Sequence, residues 1–259
     1  NHALFLNVNN SGLMRSFSNI LNNAYEANAS YIQISYESIG DHILFKISDD
    51  GEGIEGSLLD KIFEQGYTYG KEAGSGLGLS YSKDFITNCS GKVSVISDTN
   101  GTTILVELPK APIPNWFVDK VNVCDRKIVI VDDESSIYNL WVERFKEIGI
   151  KEGDILFFSD PSIFRKWLLT GHQKNNLYLV DYEFIGSEDN GVKIINDFEI
   201  EKNSILVTSQ YENKEVVKSA ESFSIGIIPK FCIQHTILVS VKDENSEKCD
   251  IVLIDDDSL

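Results

Sequence analysis

The chain has 259 residues, 42% hydrophobic and 24% charged, a composition typical of a globular protein with room for two domains. Its net charge of -17 at pH 7 excludes simple adhesion to nucleic acid or anionic membranes, and it favours nucleotides and other proteins as partners. No apolar stretch approaches the roughly 20 residues that span a membrane. The four cysteines form no CxxC pair, which indicates reduced thiols in the cytoplasm. The sequence leaves open whether a longer protein carries a membrane anchor elsewhere.

The first predicted element is a helix. Apolar residues recur at helical spacing between Leu13 and Ala27, and Asn19 and Asn23 lie one turn apart on another face. The other elements expected in this half are strands at 31–36 and 42–48, a loop at 64–73, a helix at 76–89 and a hairpin of strands at 92–96 and 102–108.

Three short motifs along these elements suit a nucleotide site. Asp49 ends a strand, where it can accept a hydrogen bond from an adenine amino group, and Gly51 and Gly53 remove side chains where base and backbone approach. Asn23 can offer its amide oxygen to Mg²⁺. The glycines of Gly74–Gly78 would let backbone N–H groups at a helix start reach phosphates. Each motif alone is weak, and their joint order indicates the site.

These three blocks, together with Ile62-Phe63-Glu64 before the loop, resemble the N, G1, F and G2 boxes of the catalytic ATP-binding domain of sensor histidine kinases, over about residues 1–110. The resemblance implies a two-layer α/β sandwich of the Bergerat type that binds ATP or ADP with Mg²⁺. The residues that it assigns to the nucleotide are Asn19, Asn23, Asp49, Gly51, Gly53, Lys71, Gly74, Ser75, Gly76, Leu77 and Gly78, with Asn23 also a metal ligand.

A hydrolytic activity is the first alternative for this half. Gyrase, Hsp90 and MutL, which share the superfamily, activate water with a glutamate one turn before the metal-binding asparagine. Here Asn19 stands at that position and offers no carboxylate base. The sequence therefore favours phosphoryl transfer to another side chain over hydrolysis.

The pattern changes after the prolines at 109, 112 and 114, and residues 111–125 are predicted to be a linker. Beyond it, short apolar strands alternate with helix-length segments, which predicts a doubly wound parallel sheet over residues 126–241. The strands expected are 128–131, 155–158, 177–180, 205–207 and 225–228.

Carboxylates gather at the ends of these strands. Asp132 and Asp133 follow the first strand, and Asp181 follows the third, so all three are expected at the edge where open α/β sheets bind ligands. Crowded carboxylates need a cation, and Mg²⁺ prefers oxygen ligands. Any single one of them could instead cap the next helix.

This set resembles the receiver domain of response regulators, a flavodoxin-like five-stranded fold. The resemblance implies that Asp181 accepts a phosphoryl group and that Asp132, Asp133, Asp181 and the backbone carbonyl of Glu183 hold Mg²⁺. It further implies that Thr208 and Lys230 contact the phosphoryl group. Two features depart from the family: a proline precedes rather than follows the lysine, and the aromatic switch position falls near an isoleucine, 227.

Both resemblances together predict a cytoplasmic fragment of a hybrid sensor histidine kinase in a two-component phosphorelay. The phosphorylated histidine is expected on a dimerisation domain N-terminal to residue 1, in a homodimeric longer protein that passes phosphate to a phosphotransfer or response-regulator partner. Residues 242–259 either begin a second, truncated receiver or add an apolar strand. The alternative function is a non-catalytic scaffold that senses nucleotide and docks onto another kinase.

Overall fold

The computed structural model describes residues 4–67, 76–171 and 175–240. These residues divide into two compact units, Leu4–Pro112 and the part of the chain that begins at Ile113. Each unit has its own sheet and core. Residues 242–259 lie outside the described residues, and so do Lys71, Gly74 and Ser75 of the expected nucleotide site.

The N-terminal unit is a sheet with two helices packed on one face. Its elements are β1 (Phe5–Leu6), α1 (Asn10–Glu26), β2 (Ile32–Ile39), β3 (His42–Asp49), α2 (Gly78–Asn88), β4 (Lys92–Asp98) and β5 (Gly101–Ala111). β3 lies between β2 and β5 in antiparallel register, and β5 also pairs with β4 and β1.

Local chemistry explains where α1 begins and how it packs. The side chain of Asn9 accepts a hydrogen bond from Gly12 N at 2.9 Å and caps the helix. A Cβ at Gly12 would lie 2.1 Å from the ring of Phe85, so only glycine lets α1 approach α2 this closely. The apolar stripe of both helices then meets the sheet. The buried core is formed by Ile20, Ile47, Ile86, Ile104, Val106 and Leu108.

The C-terminal unit is built on a parallel sheet. Its elements are β6 (Lys120–Asn122), β7 (Lys127–Val131), α3 (Ser135–Glu147), β8 (Ile155–Phe158), α4 (Pro161–Leu168), β9 (Asn176–Asp181), α5 (Gly191–Asp197), β10 (Ser204–Thr208), α6 (Lys214–Ser222), β11 (Gly226–Pro229) and β12 (Ile237–Val239). The five-stranded sheet has the order β8–β7–β9–β10–β11, with every neighbouring pair parallel.

This strand order creates a crevice at one edge. The chain passes from β7 to β8 on one side and later returns to β9 on the other side of β7. Loops from the carboxyl ends of β7 and β9 therefore diverge, which is where open α/β sheets bind ligands. Asp132 follows β7 and Asp181 ends β9, so both carboxylates lie at this crevice.

Residues 116–123 differ from the linker that the sequence predicts. β6 pairs in parallel with β12, and Phe117 forms a bridge with Ile227. Three valines of this segment, Val118, Val121 and Val123, are buried with α3 against one face of the sheet. The physical reason is that α3 alone cannot shield this face of the sheet from water. Each buried valine contributes about 1.5–3 kcal/mol to the stability of the fold. Across the described residues, every helix is too short or too polar to traverse a lipid bilayer.

Candidate functional site

The first candidate site lies at the carboxyl end of β3, around Asp49. Oδ1 of Asp49 accepts hydrogen bonds from Gly51 N at 3.0 Å and from Thr102 N at 3.3 Å. Oδ2 has no hydrogen-bond donor within the described part of the chain. One oxygen thus fixes the carboxylate, and the other is available as an acceptor. The bond to Thr102 was not foreseen, because that residue is 53 positions away in sequence.

The two glycines after Asp49 are required by the chain itself. A Cβ at Gly51 would lie 2.7 Å from the carbonyl oxygen of Ala27. Gly53 has φ +71°, and its Cβ would lie 1.7 Å from the carbonyl oxygen of Asp98. The space that these glycines were expected to leave for an adenine base is therefore partly occupied by the backbone of Ala27, just after α1, and of Asp98, at the end of β4.

The paired asparagines have different positions. Nδ2 of Asn19 donates to Gly78 O at 3.0 Å and to Ser82 Oγ at 3.4 Å, and it ties α1 to the first turn of α2. Asn23 is half-buried one turn later in α1. The structure thus gives Asn19 a clamping role, and its contact with nucleotide stays a prediction, as does that of Asn23.

Between β3 and α2, Gly66 and Gly76 bring two distant parts of the connecting segment into backbone contact. Gly66 N donates to Gly76 O at 3.0 Å, and a Cβ at Gly76 would lie 2.4 Å from the carbonyl carbon of Gly66. Leu77 is exposed, and Gly78 begins α2. The backbone N–H groups of this first turn have no earlier helical carbonyl to bind, so they suit an anionic ligand.

The second candidate site lies in the crevice of the parallel sheet. Oxygens of Asp132, Glu134 and Asp181 lie within 4.8 Å of one another. Nζ of Lys230 lies 2.8 Å from Asp181 Oδ2, 2.9 Å from Glu134 Oε1 and 3.1 Å from Asp132 Oδ2. The approach to Asp132 Oδ2 lacks hydrogen-bond geometry, so this buried oxygen has no donor among the described residues. The group is an acidic cluster with one internal cation.

Burial controls the protonation of this cluster. Burial raises the pKa of Asp181 to about 6, although the hydrogen bond from Lys230 opposes the shift. Burial also raises the pKa of Asp132, against the hydrogen bond from Glu134 N. Burial alone would lower the pKa of Lys230, but its contacts with Asp181 and Glu134 raise it above the ordinary value. Lys230 therefore stays charged, and Asp181 ionises above about pH 6.

The remaining predicted residues of this site make contacts outside the oxygen cluster. Asp133 Oδ2 accepts from Ile185 N at 2.9 Å, and Asp133 is not part of the oxygen cluster. Thr208 is buried at the end of β10, and its Oγ1 accepts from Gln210 N at 3.0 Å. Glu183 forms a bridge with Asn190. Their roles toward metal and phosphate stay predictions.

Glu134 is the residue that sequence reasoning missed. It directly follows Asp132 and Asp133, and its carboxylate reaches the cluster although the side chain is exposed. The signal was present as a third acidic residue in the same run. A run of adjacent acids does not show which of them turns inward, because that depends on the loop conformation after β7.

The comparisons with known proteins concern mainly the N-terminal unit. Residues 8–112 match the family described as histidine kinase-, DNA gyrase B-, and HSP90-like ATPase. The N-terminal unit is a histidine kinase-type ATPase domain. The predicted α/β ATP-binding fold of the first half is thereby confirmed.

Individual relatives are sensor kinases. The chain is 33% identical over 117 residues to the sensor histidine kinase DpiB of Escherichia coli, covering 42% of this chain and 21% of that protein. It is 35% identical over 97 residues to the C4-dicarboxylate transport sensor protein DctB of Rhizobium meliloti, covering 36% of this chain and 16% of that protein. The match thus spans about a fifth of the length of these curated relatives.

Among solved structures, the mycobacterial sensor histidine kinase MprB is 28% identical with a TM-score of 0.37, covering 40% of this chain and 74% of that chain.

Proposed function

We propose that this chain is part of a hybrid sensor histidine kinase. In this proposal the ATPase domain binds Mg-ATP and phosphorylates a histidine outside the chain, and the C-terminal unit is a receiver that accepts the phosphoryl group on Asp181. The observation that carries the first half is the family match of residues 8–112. The second half is supported by the meeting of Asp132, Asp181 and Lys230 at the crevice of a parallel sheet.

The nucleotide would be held from three sides of the ATPase domain. Oδ2 of Asp49 is the available acceptor for an adenine amino group, because Oδ1 is already fixed by two backbone donors. The first turn of α2, from Gly78, offers N–H groups to phosphates. Asn23 is the proposed metal ligand on α1. Asn19 has no carboxylate and its amide binds α2, so the domain lacks a base for water at this position.

The acidic cluster fits a divalent cation. Asp132 Oδ2 is buried without a donor, and three carboxylates share one lysine, so negative charge exceeds positive charge. Mg²⁺ would be held by oxygens of Asp132 and Asp181, and Glu134 is an additional candidate ligand. Asp133 and the backbone carbonyl of Glu183 remain the other ligands that the sequence predicts. When bound, Mg²⁺ would neutralise these carboxylates and polarise phosphate oxygens.

The chain's own groups prepare Asp181 for phosphoryl transfer. Above about pH 6 the carboxylate is ionised and therefore nucleophilic. One of its oxygens would form the new P–O bond while the donor's P–O bond breaks and the leaving group keeps the electron pair. Lys230, 2.8 Å from Oδ2, offsets the negative charge that gathers there. Thr208 already accepts from Gln210 N, so its hydroxyl proton is available to a phosphoryl oxygen.

The wider setting follows from this activity. We expect a dimerisation and histidine-bearing domain N-terminal to the chain, a homodimeric longer protein, and a phosphotransfer or response-regulator protein as the downstream partner. We expect a cytoplasmic location and no contact with nucleic acid or membrane, in keeping with the net charge of -17.

Nucleotide titration by calorimetry tests the ATPase domain. Asp49→Asn keeps Oδ1 as the acceptor for both N–H groups and replaces Oδ2 by an amide, so ATP affinity should fall by about 10- to 100-fold. Asp41→Asn, at an exposed turn, is the matched control and should bind like wild type. Absence of ATP and ADP binding to folded wild-type chain would overturn the proposal for this domain.

Labelling with radioactive acetyl phosphate and Mg²⁺ tests the C-terminal unit. Wild-type chain should be labelled, with a rate that rises as pH increases through 6, and Asp181→Asn should not be labelled. Asp154→Asn, an exposed carboxylate just before β8, should retain labelling. Nucleotide binding without any labelling would contradict the receiver assignment and favour the docking scaffold.

A further inference from the structure

β2 of the ATPase domain is an edge strand with an open side. It pairs with β3 along all eight of its residues, and no other described strand lies beside it. Edge strands of soluble proteins are usually short, bulged, interrupted by proline or charged, because an open row of N–H and C=O groups pairs readily with another strand. β2 is long, has unbroken register and contains no proline, and Glu37 is its only charged residue.

The open side also exposes apolar side chains. Ile34 is 51% exposed and Tyr36 is 67% exposed, on a strand whose partner β3 is largely covered. The ring of Tyr36 lies 6.3 Å from that of Phe45, which packs on the helix-covered face of the sheet. Ile34 and Tyr36 therefore extend that apolar face to the edge of β2, where it meets solvent.

The hydrogen-bond pattern shows which backbone groups point outward. Asp50 N donates to Tyr31 O at 3.3 Å across the β2–β3 pair, where these residues lie directly opposite each other. In an antiparallel ladder, hydrogen-bonded positions alternate with positions that face away. Odd-numbered residues of β2 thus bind β3, and the N–H and C=O groups of Ile32, Ile34, Tyr36 and Ser38 point to the open side.

We infer that β2 is a self-association surface, where a second copy of this chain adds its own β2 in antiparallel orientation. The register places Ser35 on the twofold axis. Each Ile34 then lies opposite Tyr36 of the second copy, as a hydrogen-bonded pair of outward-pointing residues, and Ile32 lies opposite Ser38. Aromatic and β-branched residues are a favourable cross-strand pair, and symmetry forms this pair twice.

Side-chain pairing and charge both favour this register over the alternatives. With Ser35 on the axis, each Glu37 lies opposite the neutral Gln33 of the second copy. A slip of two residues would centre the pairing on Tyr36 and lose both Ile34–Tyr36 pairs, and a slip of four residues would centre it on Glu37 and place two like charges opposite each other. The chain's net charge of -17 opposes association at long range, so association should strengthen as salt screens this repulsion. This surface is independent of the proposed nucleotide and phosphoryl chemistry.

Sedimentation velocity on the full chain measures the association. Wild type should show a concentration-dependent monomer–dimer equilibrium that shifts toward dimer as salt rises. Ile34→Lys, at an exposed outward-pointing position, should weaken dimerisation roughly tenfold or more because it places a charge on the open edge. Gln33→Lys is the matched control: its backbone faces β3 and its side chain would lie opposite Glu37, so dimerisation should persist or strengthen.

Cysteine cross-linking tests the register. Opposed residues that do not share hydrogen bonds lie about 4.5 Å apart between Cα atoms, within disulfide reach, so Ser35→Cys should oxidise to a covalent dimer. Glu37→Cys would lie roughly 14 Å from its symmetry mate and should stay at the wild-type background set by the native cysteines. A monomeric wild type, a dimer insensitive to Ile34→Lys, or equal cross-linking at both positions would overturn the inference.

Discussion

The ammonium group of Lys230 lies 2.8 Å from Oδ2 of Asp181. Both side chains are nearly buried, with Lys230 10% and Asp181 6% exposed. Lys230 also approaches Asp132 and Glu134, so one cation serves three carboxylates. This arrangement holds the crevice together while it leaves unbalanced negative charge, and the stability of the C-terminal unit should depend on Lys230, on pH and on divalent cations.

Removal of Lys230 should expose this dependence. Lys230→Met leaves the buried carboxylates without a counter-charge, and we expect the free energy of unfolding to fall by about 3 kcal/mol. Added Mg²⁺ should raise the melting temperature of the variant more than that of wild type. Lys193→Met is the control, because Lys193 is 54% exposed in its pair with Asp189 and its removal should change the free energy of unfolding much less. Equal losses in both variants, measured by urea unfolding, would contradict this prediction.

Ionised Asp181 should destabilise the fold above pH 6. Burial raises its pKa from 3.8 to about 6, so the folded state binds the proton more tightly than the unfolded state. The resulting stabilisation is fully present below pH 3.8 and is lost as pH rises through 6. Asp181→Asn stays neutral and should melt roughly 5 °C above wild type at pH 7.5.

Thermal unfolding followed by circular dichroism from pH 4 to pH 8 provides the measurement. The difference between Asp181→Asn and wild type should shrink below pH 6 and disappear near pH 4. A difference that does not vary with pH would show that another effect of the substitution, and not this ionisation, determines the stability.

Sequence reasoning was strongest where periodicity and position in the chain carry the information. The helical stripe that contains Ile20 predicted α1, and the position of Asp49 after an apolar strand predicted its place at the end of β3. Strand ends also brought Asp132 and Asp181 to one edge, because parallel strands align their carboxyl ends. These features depend on local pattern and on general rules of sheet topology.

Contacts between segments that are distant in sequence could not be predicted. Val118 and Val121 look like linker residues until the uncovered sheet face that they fill is known. Another case is an aromatic row near the acidic cluster, in which the ring of Tyr211 lies 6.3 Å from Trp116 and 5.3 Å from Phe231. The sequence placed the expected aromatic position near residue 227 and did not indicate these rings, since their contact depends on the fold of three separate segments.

Gly53 should be the least replaceable glycine near the nucleotide site. Gly53→Ala combines a positive φ of +71° with a Cβ 1.7 Å from Asp98 O, so the turn after β3 must move. We expect a loss of about 3 kcal/mol and weaker ATP binding. Gly40→Ala also has a positive φ, +53°, but meets nothing within 4 Å, and should lose about 1 kcal/mol. Similar unfolding curves for both variants would refute the steric explanation.

Asn19 should act first as a clamp between helices. Its Nδ2 donates to Gly78 O and Ser82 Oγ, and Asn19→Ala removes both of these bonds, although Ser82 Oγ still donates to Gly78 O. We expect about 1–2 kcal/mol less stability, whereas Asn22→Ala, exposed on the same helix, should change it by about 0.5 kcal/mol or less. Because the clamp positions the first turn of α2, ATP affinity should fall in Asn19→Ala and stay unchanged in Asn22→Ala. Urea unfolding and calorimetry separate the two effects, and full stability in Asn19→Ala would rule out the clamp.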